Sequence, residues 1–306
     1  GINQLLVTTT TDGTGGTATA ANNLFSVGTG GTTPGYYGVV QSRARLRYRA
    51  GQGVVGRYTA LFSAGKTAAV QVAGYGTGES GFYFGYNGTS FGILSNTGGV
   101  RAIYTLTVTV ASNGTGNYQV TLNGVLFSVT ATNNASTTMT AYEISRGTYT
   151  GWTAEQVGAT VVFLSSVVGA KSGAFTLTQT AAAATGTYAT TKAGVAVTDT
   201  WVPQTSWNGD TLDGSGDVNN PSGALLDPSK GNVYQIGIQY LGFGSITFSV
   251  EVAASGNNPD FVNVHTIRFP NTSTSVSVIQ PSFPFTMSAA NVNVGVTGTV
   301  TTQCGS

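Results

Sequence analysis

Residues 41–53, QSRARLRYRAGQG, carry the most regular alternation in the chain and run on into VVGRYTALF at residues 54–62. Every second position is an arginine, with Ala, Leu and Tyr between them; we call Arg43, Arg45, Arg47 and Arg49 the arginine row. Because successive side chains of a β-strand point to opposite faces, this spacing predicts a strand with all four guanidinium groups on one face. The four like charges repel one another, and the sequence around them has few acids. Their counter-charge is therefore expected to come from elsewhere.

Three interpretations of the arginine row are open. The plainest is a solvated sheet face. The second is a contact between subunits, in which the guanidinium groups pair with carboxylates. The third is contact with nucleic acid or an acidic glycan. The formal net charge of +1 argues against general nucleic-acid binding, because domains that bind nucleic acid are usually strongly basic.

The composition favours a protein that associates. Charged residues make up 8% of the 306 residues, against about 25% in ordinary globular chains. A surface with so little charge is poorly solvated, so we expect it to be covered by copies of the chain or by other partners. Aromatic residues at 10% and hydrophobic residues at 40% are ample for packed cores.

Several classes of protein are excluded or disfavoured. The one cysteine, Cys304, rules out a disulfide framework and a cysteine-based metal site. No run of 18 apolar residues is present, so no membrane span is predicted. The start, GINQLL, has neither an initiator Met nor a signal-peptide pattern, which is expected of a processed or partial chain.

Short apolar runs separated by Gly-marked turns predict a mainly β fold. We expect an antiparallel β-sandwich, jelly-roll-like, built from residues 36–103 and 195–301. A small α+β module, strand–strand–helix–strand–strand, is expected as an insertion at residues 104–194, because loop tips tolerate insertions. Residues 1–35 are Thr- and Gly-rich and predict an extended N-terminal arm that lies on its own domain or on a neighbouring subunit. Residues 302–306 are predicted to form a tail.

Local signals support this organisation. Asn87-Gly88 and Asn123-Gly124 each predict a tight type I′ hairpin turn. Ser136 or Thr137 can act as the N-cap of the one helix candidate. Near the C-terminus, residues 292–300 are predicted to form a strand, and the prolines before them, Pro281 and Pro284, are expected in a loop or at a sheet edge.

No motif in the chain points to catalysis. His265 is the single histidine, and its strand context favours a half-buried structural residue over a catalytic one. Nucleotide-binding, zinc-protease and nucleophile-elbow fingerprints are lacking, so we predict that the chain is not an enzyme. No cofactor is predicted apart from a calcium ion that Asp210, Asp213 and Asp217 could hold on a flexible loop. The alternative is that these carboxylates cap their own turns.

Two further sets of residues are candidates for binding. Trp201 and Trp207 could stack on a sugar ring, or they could plug the edge of the sandwich. The apolar group Leu5, Leu6 and Val7, in the predicted arm, is a candidate subunit contact alongside the arginine row.

Several longer segments carry a resemblance. QSRARLRYRAGQG, GESGFYFGYNGTSFGIL, NPSGALLDPSKGNVYQIGIQYLGFGSITFSVE and FVNVHTIRFPN resemble virion structural proteins, of capsid-associated or tail type, from large tailed phages and environmental viruses. The resemblance implies a non-enzymatic, all-β component of the virion whose partners are copies of itself and other virion proteins. An alternative is a glycan- or receptor-binding module of a viral fibre, whose partner would be a host surface glycan.

Overall fold

The structure, a computed structural model, describes residues 2–49, 51–134, 136–239, 241–253, 259–272, 278 and 281–305. With 54% of residues in strands and 4% in helices, the prediction of a mainly β fold is confirmed. The chain divides into two compact units. The larger comprises Gly1–Thr97 and Thr198–Ser306, and the smaller comprises Gly98–Val197.

The strands, numbered in chain order, are β1 (Val7–Thr11), β2 (Thr17–Ala21), β3 (Leu24–Gly28), β4 (Tyr37–Leu46), β5 (Val54–Phe62), β6 (Ala69–Thr77), β7 (Ser80–Asn87), β8 (Ser90–Thr97), β9 (Arg101–Val110), β10 (Gly116–Leu122), β11 (Val125–Ala131), β12 (Trp152–Val157), β13 (Thr160–Val168), β14 (Thr176–Gln179), β15 (Thr185–Lys192), β16 (Thr198–Pro203), β17 (Asn232–Ile238), β18 (Ile246–Ala253), β19 (Pro259–Ile267), β20 (Phe283–Asn291) and β21 (Thr301–Gly305). Helix α1 spans Thr137–Ser145, and a 3₁₀ turn covers Gln204–Ser206.

In the described residues, the larger unit contains two antiparallel sheets of seven strands each. The first has the order β1-β4-β20-β6-β7-β8-β16, and the second has the order β19-β18-β17-β5-β21-β3-β2. A jelly roll has eight strands arranged as two Greek keys. Here β6-β7-β8 and β17-β18-β19 are meanders of sequential neighbours. The antiparallel sheet pair is consistent with a β-sandwich, and the jelly-roll-like detail is not confirmed.

The core of the larger unit is rich in aromatic rings contributed by both sheets. Phe84 of β7 lies 4.8 Å from Tyr234 of β17 and 5.4 Å from Phe248 of β18, between ring centroids. Phe62 of β5 packs edge-on against Phe91 of β8 at 5.6 Å. Strand β5 directs its rings into this core because its alternate residues are buried and the residues between them face outward. The inner faces of the two sheets therefore enclose one hydrophobic core.

Both ends of the chain are built into these sheets. Within the predicted arm, β1 pairs with β4, while β2 and β3 form a hairpin at the edge of the second sheet. The predicted tail, 302–306, instead contributes residues 302–305 to β21, which pairs with β3 and β5. Thr302 and Cys304 are buried there, so pairing and burial together order this segment.

Strand β20 overturns the expectation for the proline-rich segment. It lies in the interior of the first sheet, between β4 and β6, although it contains Pro284. Residues 292–300, the predicted strand, are irregular. Pro284 is tolerated because it faces Arg45 beside a shift in register, where the ladder of hydrogen bonds is already interrupted.

The smaller unit contains strands β9 to β15 and helix α1. Its sheets have the orders β11-β10-β14 and β12-β13-β9-β15, and its core includes Tyr118, Ile144 and Phe163. The predicted helix is present, and Ser136 is its N-cap, accepting a hydrogen bond from the Met139 N–H at 3.2 Å. The chain order is three strands, one helix and four strands, so the unit has more strands than the predicted module.

The two Asn-Gly turns differ. Asn123 and Gly124 join β10 to β11 with φ of 53° and 82°, as a type I′ turn requires. In the other hairpin Asn87 still belongs to β7, and the two turn residues are Gly88 and Thr89. Only Gly88 has positive φ there, at 60°, which is the pattern of a type II′ turn. The hairpin was predicted correctly and its turn type was not.

Candidate functional site

A bulge in β4 determines where the arginines point. Gln41 faces Thr286 and Arg45 faces Pro284, so three residues of β4 lie opposite the single residue Phe285 of β20. The Ser42 hydroxyl group holds this geometry, because it accepts a hydrogen bond from the Phe285 N–H at 2.9 Å and donates one to the Ala44 carbonyl at 2.6 Å.

The bulge breaks the predicted alternation. Arg43, Ala44 and Arg45 are consecutive and all exposed, and β4 ends at Leu46, before Arg47 and Arg49. The expectation of one regular row on a single strand face is therefore wrong. The physical reason is the two extra residues in β4, which change the direction in which the side chains before and after the bulge point.

A turn before β1 brings apolar side chains to the same place. The Asn3 carbonyl accepts hydrogen bonds from the N–H groups of Leu6 (3.0 Å) and Val7 (3.2 Å). Arg43 ties this turn to β4, since its backbone N–H donates to the Leu6 carbonyl and its Nε donates to the Gln4 carbonyl, both at 2.8 Å. The structure thus joins two candidate groups that lie far apart in sequence.

The three apolar candidates of this turn, Leu5, Leu6 and Val7, differ in how far they are exposed. Leu5 and Leu6 are 84% and 63% exposed, which is unusual for leucine and leaves them free to contact a partner. Val7 is buried in the core of the larger unit, so its predicted role in a subunit contact is wrong. As the first residue of β1, it faces inward.

Beside this turn lies a depression of about 430 Å³, which we call the arginine depression. Its lining residues are Arg43, Ala44, Arg45, Arg47, Tyr48 and Ser282. In the described part of the chain, no carboxylate lies within ion-pairing distance of Arg45, Arg47 or Arg49. The depression is thus an open, positively charged surface, and an anionic group bound there would relieve the repulsion among its arginines. Sequence reasoning found its arginines and missed Ser282. Ser282 directly precedes β20, and the pairing of β20 with β4 brings it to the arginines.

The tryptophans do not form the predicted sugar-stacking pair. Trp207 is buried in the core, edge-on to Phe84 at 6.0 Å and to Phe91 at 6.3 Å. Its ring offers no face to a sugar, so the glycan-binding prediction for Trp207 is wrong. Trp201 is half-buried on the edge strand β16, opposite Leu94 of β8. It lacks the second ring that a two-tryptophan platform needs.

The predicted calcium ligands serve their own loop instead. Asp210 is 3% exposed and accepts hydrogen bonds from the Leu212 N–H, the Asn220 side chain and the Ser222 N–H, each at 2.9 Å. Asp217 accepts from the N–H groups of residues 219 and 220 at 2.7 and 3.0 Å.

Asp213 behaves in the same way. It accepts from the Ser215 N–H at 2.9 Å, and the hydrogen bonds from Ser215 hold the pKa of its carboxyl below the usual range. Among the residues that the structure describes, no group of three or more His, Cys, Asp or Glu side chains is placed to hold a metal ion. The calcium prediction is therefore corrected to turn capping, the alternative that the sequence left open.

This loop carries a feature that sequence reasoning missed. Val218 is 90% exposed and Leu225 is 74% exposed, close to the exposed carboxylates of Asp213 and Asp217. A bridge between Asp213 and Leu225 places those two residues side by side. The signal in the sequence was a valine and a leucine within a segment otherwise made of Gly, Ser, Asp, Asn, Pro and Ala.

His265 secures the base of the same loop. It lies buried in β19, and its Nδ1 accepts a hydrogen bond from the Asn208 N–H at 3.2 Å. The Asn208 side chain also bonds to both the N–H and the carbonyl group of Thr266. Burial lowers the pKa of His265, so the neutral ring is the form that fits this site.

Comparisons with known proteins add no identification: the chain matches no protein-family model, no curated protein and no solved structure. Of the helices in the described residues, none has the length and apolar character needed to cross a membrane.

Proposed function

We propose that the chain is a non-enzymatic structural protein that assembles with copies of itself as a component of a virus particle. The observation that carries this proposal is the surface on which the exposed Leu5 and Leu6 adjoin the arginine depression. A surface that combines exposed leucines with arginines that have no carboxylate partner in the described residues is typical of a protein–protein contact.

Magnitudes assign different roles to the two kinds of side chain. Burying an exposed leucine side chain contributes about 1.5–3 kcal/mol. An ion pair at a solvated rim contributes about 0–1 kcal/mol, and it affects orientation and association rate more than affinity. We therefore infer that the leucines supply most of the free energy of association and that the arginines determine its geometry.

The particle itself is inferred from the sequence. Its 8% of charged residues suits a protein whose surface is mostly covered, and the resemblance to virion structural proteins suggests other virion proteins as further partners. We place the chain in the virion on these two grounds.

The test is the mass of the purified chain in solution, measured by light scattering over a range of protein and salt concentrations. We expect an assembly that dissociates as the salt concentration rises, because the screening length falls from about 10 Å at 0.1 M to about 3 Å at 1 M.

Deleting residues 1–35 is not a suitable test, because it would remove strands β1, β2 and β3 as well as the contact. A parent chain that is monomeric under all conditions would refute the proposal.

A sharper variant is Leu5→Ser with Leu6→Ser. Its association should weaken at least about a hundredfold, because two leucine side chains together contribute on the order of 3 kcal/mol or more. The matched control is Val125→Ser with Leu126→Ser, a pair of similar exposure beside the hairpin turn of β10 and β11. Equal loss in both double variants would show that the leucine turn has no special role.

A second candidate is binding of an acidic glycan of a host surface, as a receptor-binding module would do. Three arginines that line one depression favour it, since guanidinium groups bind the sulfate or carboxylate of a sugar. A sulfated oligosaccharide that binds the parent and not Arg45→Gln/Arg47→Gln, measured by calorimetry, would support this candidate. Equal binding by both chains would exclude the depression as the glycan site.

A further inference from the structure

We propose that the arginine depression of one copy receives the acidic loop of a second copy, the acidic loop being residues 213–225. This inference rests on the proposed self-assembly and names the surfaces that meet. Both surfaces belong to the larger unit, and they differ from each other, so the contact is head-to-tail.

The acidic loop projects and carries its own internal order. Residues 213–219 and 221–223 are exposed. The loop is held by bonds from the Thr211 N–H to the Asn219 carbonyl (2.8 Å) and from the Gly214 N–H to the Ala224 carbonyl (3.1 Å). Beneath it, Asp210 is buried and fully engaged. A loop ordered in this way loses little conformational freedom on binding.

The charges of the two surfaces are complementary. Asp213 and Asp217 would face the guanidinium groups that line the depression, and carboxylate–guanidinium pairs form two parallel hydrogen bonds when geometry allows. Oδ1 of each carboxylate accepts the N–H groups of its own loop. Within the described residues, Oδ2 of each accepts no backbone N–H, and both carboxylates are exposed.

The apolar parts of the two surfaces also match. Val218 and Leu225 are the exposed apolar side chains of the loop, and Leu5 and Leu6 are those beside the depression. Each surface therefore combines two large apolar side chains with charges of one sign. Contact would bury the apolar side chains and pair the opposite charges. Specific interfaces combine affinity with orientation in this way.

Three other carboxylates of the larger unit are already engaged. Asp227 pairs with Lys230 at 3.4 Å. Asp12 accepts hydrogen bonds from the N–H groups of residues 14 to 16 and of Tyr37, and Asp210 is buried. Asp213 and Asp217 stand out because they are exposed, lie together on one loop and have apolar neighbours.

The experiment uses two variants that each remove one side of the contact. Arg45→Gln/Arg47→Gln neutralises the depression and leaves the loop intact. Asp213→Asn/Asp217→Asn neutralises the loop, and asparagine retains the Oδ1 acceptor that caps the turns. Each variant alone should associate at least about tenfold more weakly than the parent. An equimolar mixture should form a complex of one copy of each, limited to two chains, because only one intact pair of surfaces remains.

The matched control is Glu155→Gln/Asp260→Asn, which changes the net charge by the same amount at two exposed carboxylates outside the loop. It should assemble like the parent. Circular dichroism of all variants checks that the fold is retained.

The outcomes separate this inference from the proposed function. If the loop variant assembles like the parent while the depression variant does not, the depression contacts something else and only the inference fails. If the mixture stays monomeric, the inference also fails. A parent chain that never assembles would overturn both.

Discussion

The arginine depression and the acidic loop are both rich in charge, yet their charged side chains differ in where they find partners. Asp217 in the loop and Asp210 beneath it accept hydrogen bonds from N–H groups of residues close to them in sequence. In the depression, Arg45 and Arg47 have no carboxylate partner among the described residues. Arg43 reaches the carbonyl group of Gln4, which lies in a turn.

The difference follows from hydrogen-bond chemistry. A carboxylate is an acceptor, and an irregular loop presents unpaired N–H groups within a few residues of it. A guanidinium group only donates, and the carbonyl groups of a sheet are already used in its ladder. Short acidic side chains in loops therefore find hydrogen-bond donors within their own loop, while arginines on strands remain available to other molecules.

The largest effect on stability is expected at the buried end of the loop. Asp210→Ala should lower the free energy of unfolding by about 3 kcal/mol, because it leaves buried N–H donors without an acceptor. Chemical denaturation measures this. Asp213→Asn, at an exposed carboxylate whose Oδ1 acceptor the asparagine retains, is the control and should change stability by less than about 0.5 kcal/mol. Equal losses in the two variants would contradict the distinction between a buried anchor and an exposed tip.

A smaller effect is expected at the bulge. Ser42→Ala removes the hydroxyl group that bonds to Phe285 and Ala44, and should lower stability by about 1 kcal/mol. It should also weaken self-association, since the bulge aims Arg43 and Arg45. Ser282→Ala, in the lining of the same depression, is the control for stability. Unchanged stability and association in Ser42→Ala would show that the bulge does not depend on this side chain.

The loop should respond to pH through His265. Burial lowers its pKa in the folded state, so the unfolded chain binds the proton more readily. The contribution of His265 to stability is therefore complete above its unfolded pKa of about 6.5 and is lost as the pH falls below that value.

Denaturation curves between pH 7.5 and pH 5 of the parent and of His265→Gln test this expectation. The variant lacks the titrating ring, so its stability should fall less with acid than that of the parent. Parallel pH profiles would show that His265 titrates as it does in the unfolded chain.

The smallest effect on stability is expected in the depression. Arg45→Gln/Arg47→Gln should change the free energy of unfolding by less than about 0.5 kcal/mol, because neither guanidinium group has an ion-pair partner in the described residues. Dilute, non-associating samples are needed for this measurement. A clear loss of stability would mean that the arginines act within the fold rather than at its surface.

Several elements could be predicted from local sequence. Asn123-Gly124 predicts its turn because both positions need positive φ, and Ser136 predicts the helix start because its side chain can bond to the N–H three residues later. The short apolar runs between Gly-marked turns, such as FYF in β7, predicted strands because large apolar side chains fit a half-buried pleated surface.

The sequence by itself determined the mainly β character, the tight turns and the chemical types gathered in the two charged segments. Tertiary structure decided which of those side chains are available. Whether Trp207 and Val7 are buried depends on rings and strands that pack against them from distant parts of the chain. The direction of the arginines depends on Phe285 and Pro284 of β20, which pair with β4 from the other end of the sequence. The alternation of residues along one strand predicts only a regular strand. A bulge depends on the register with the partner strand, which the sequence of one strand does not specify.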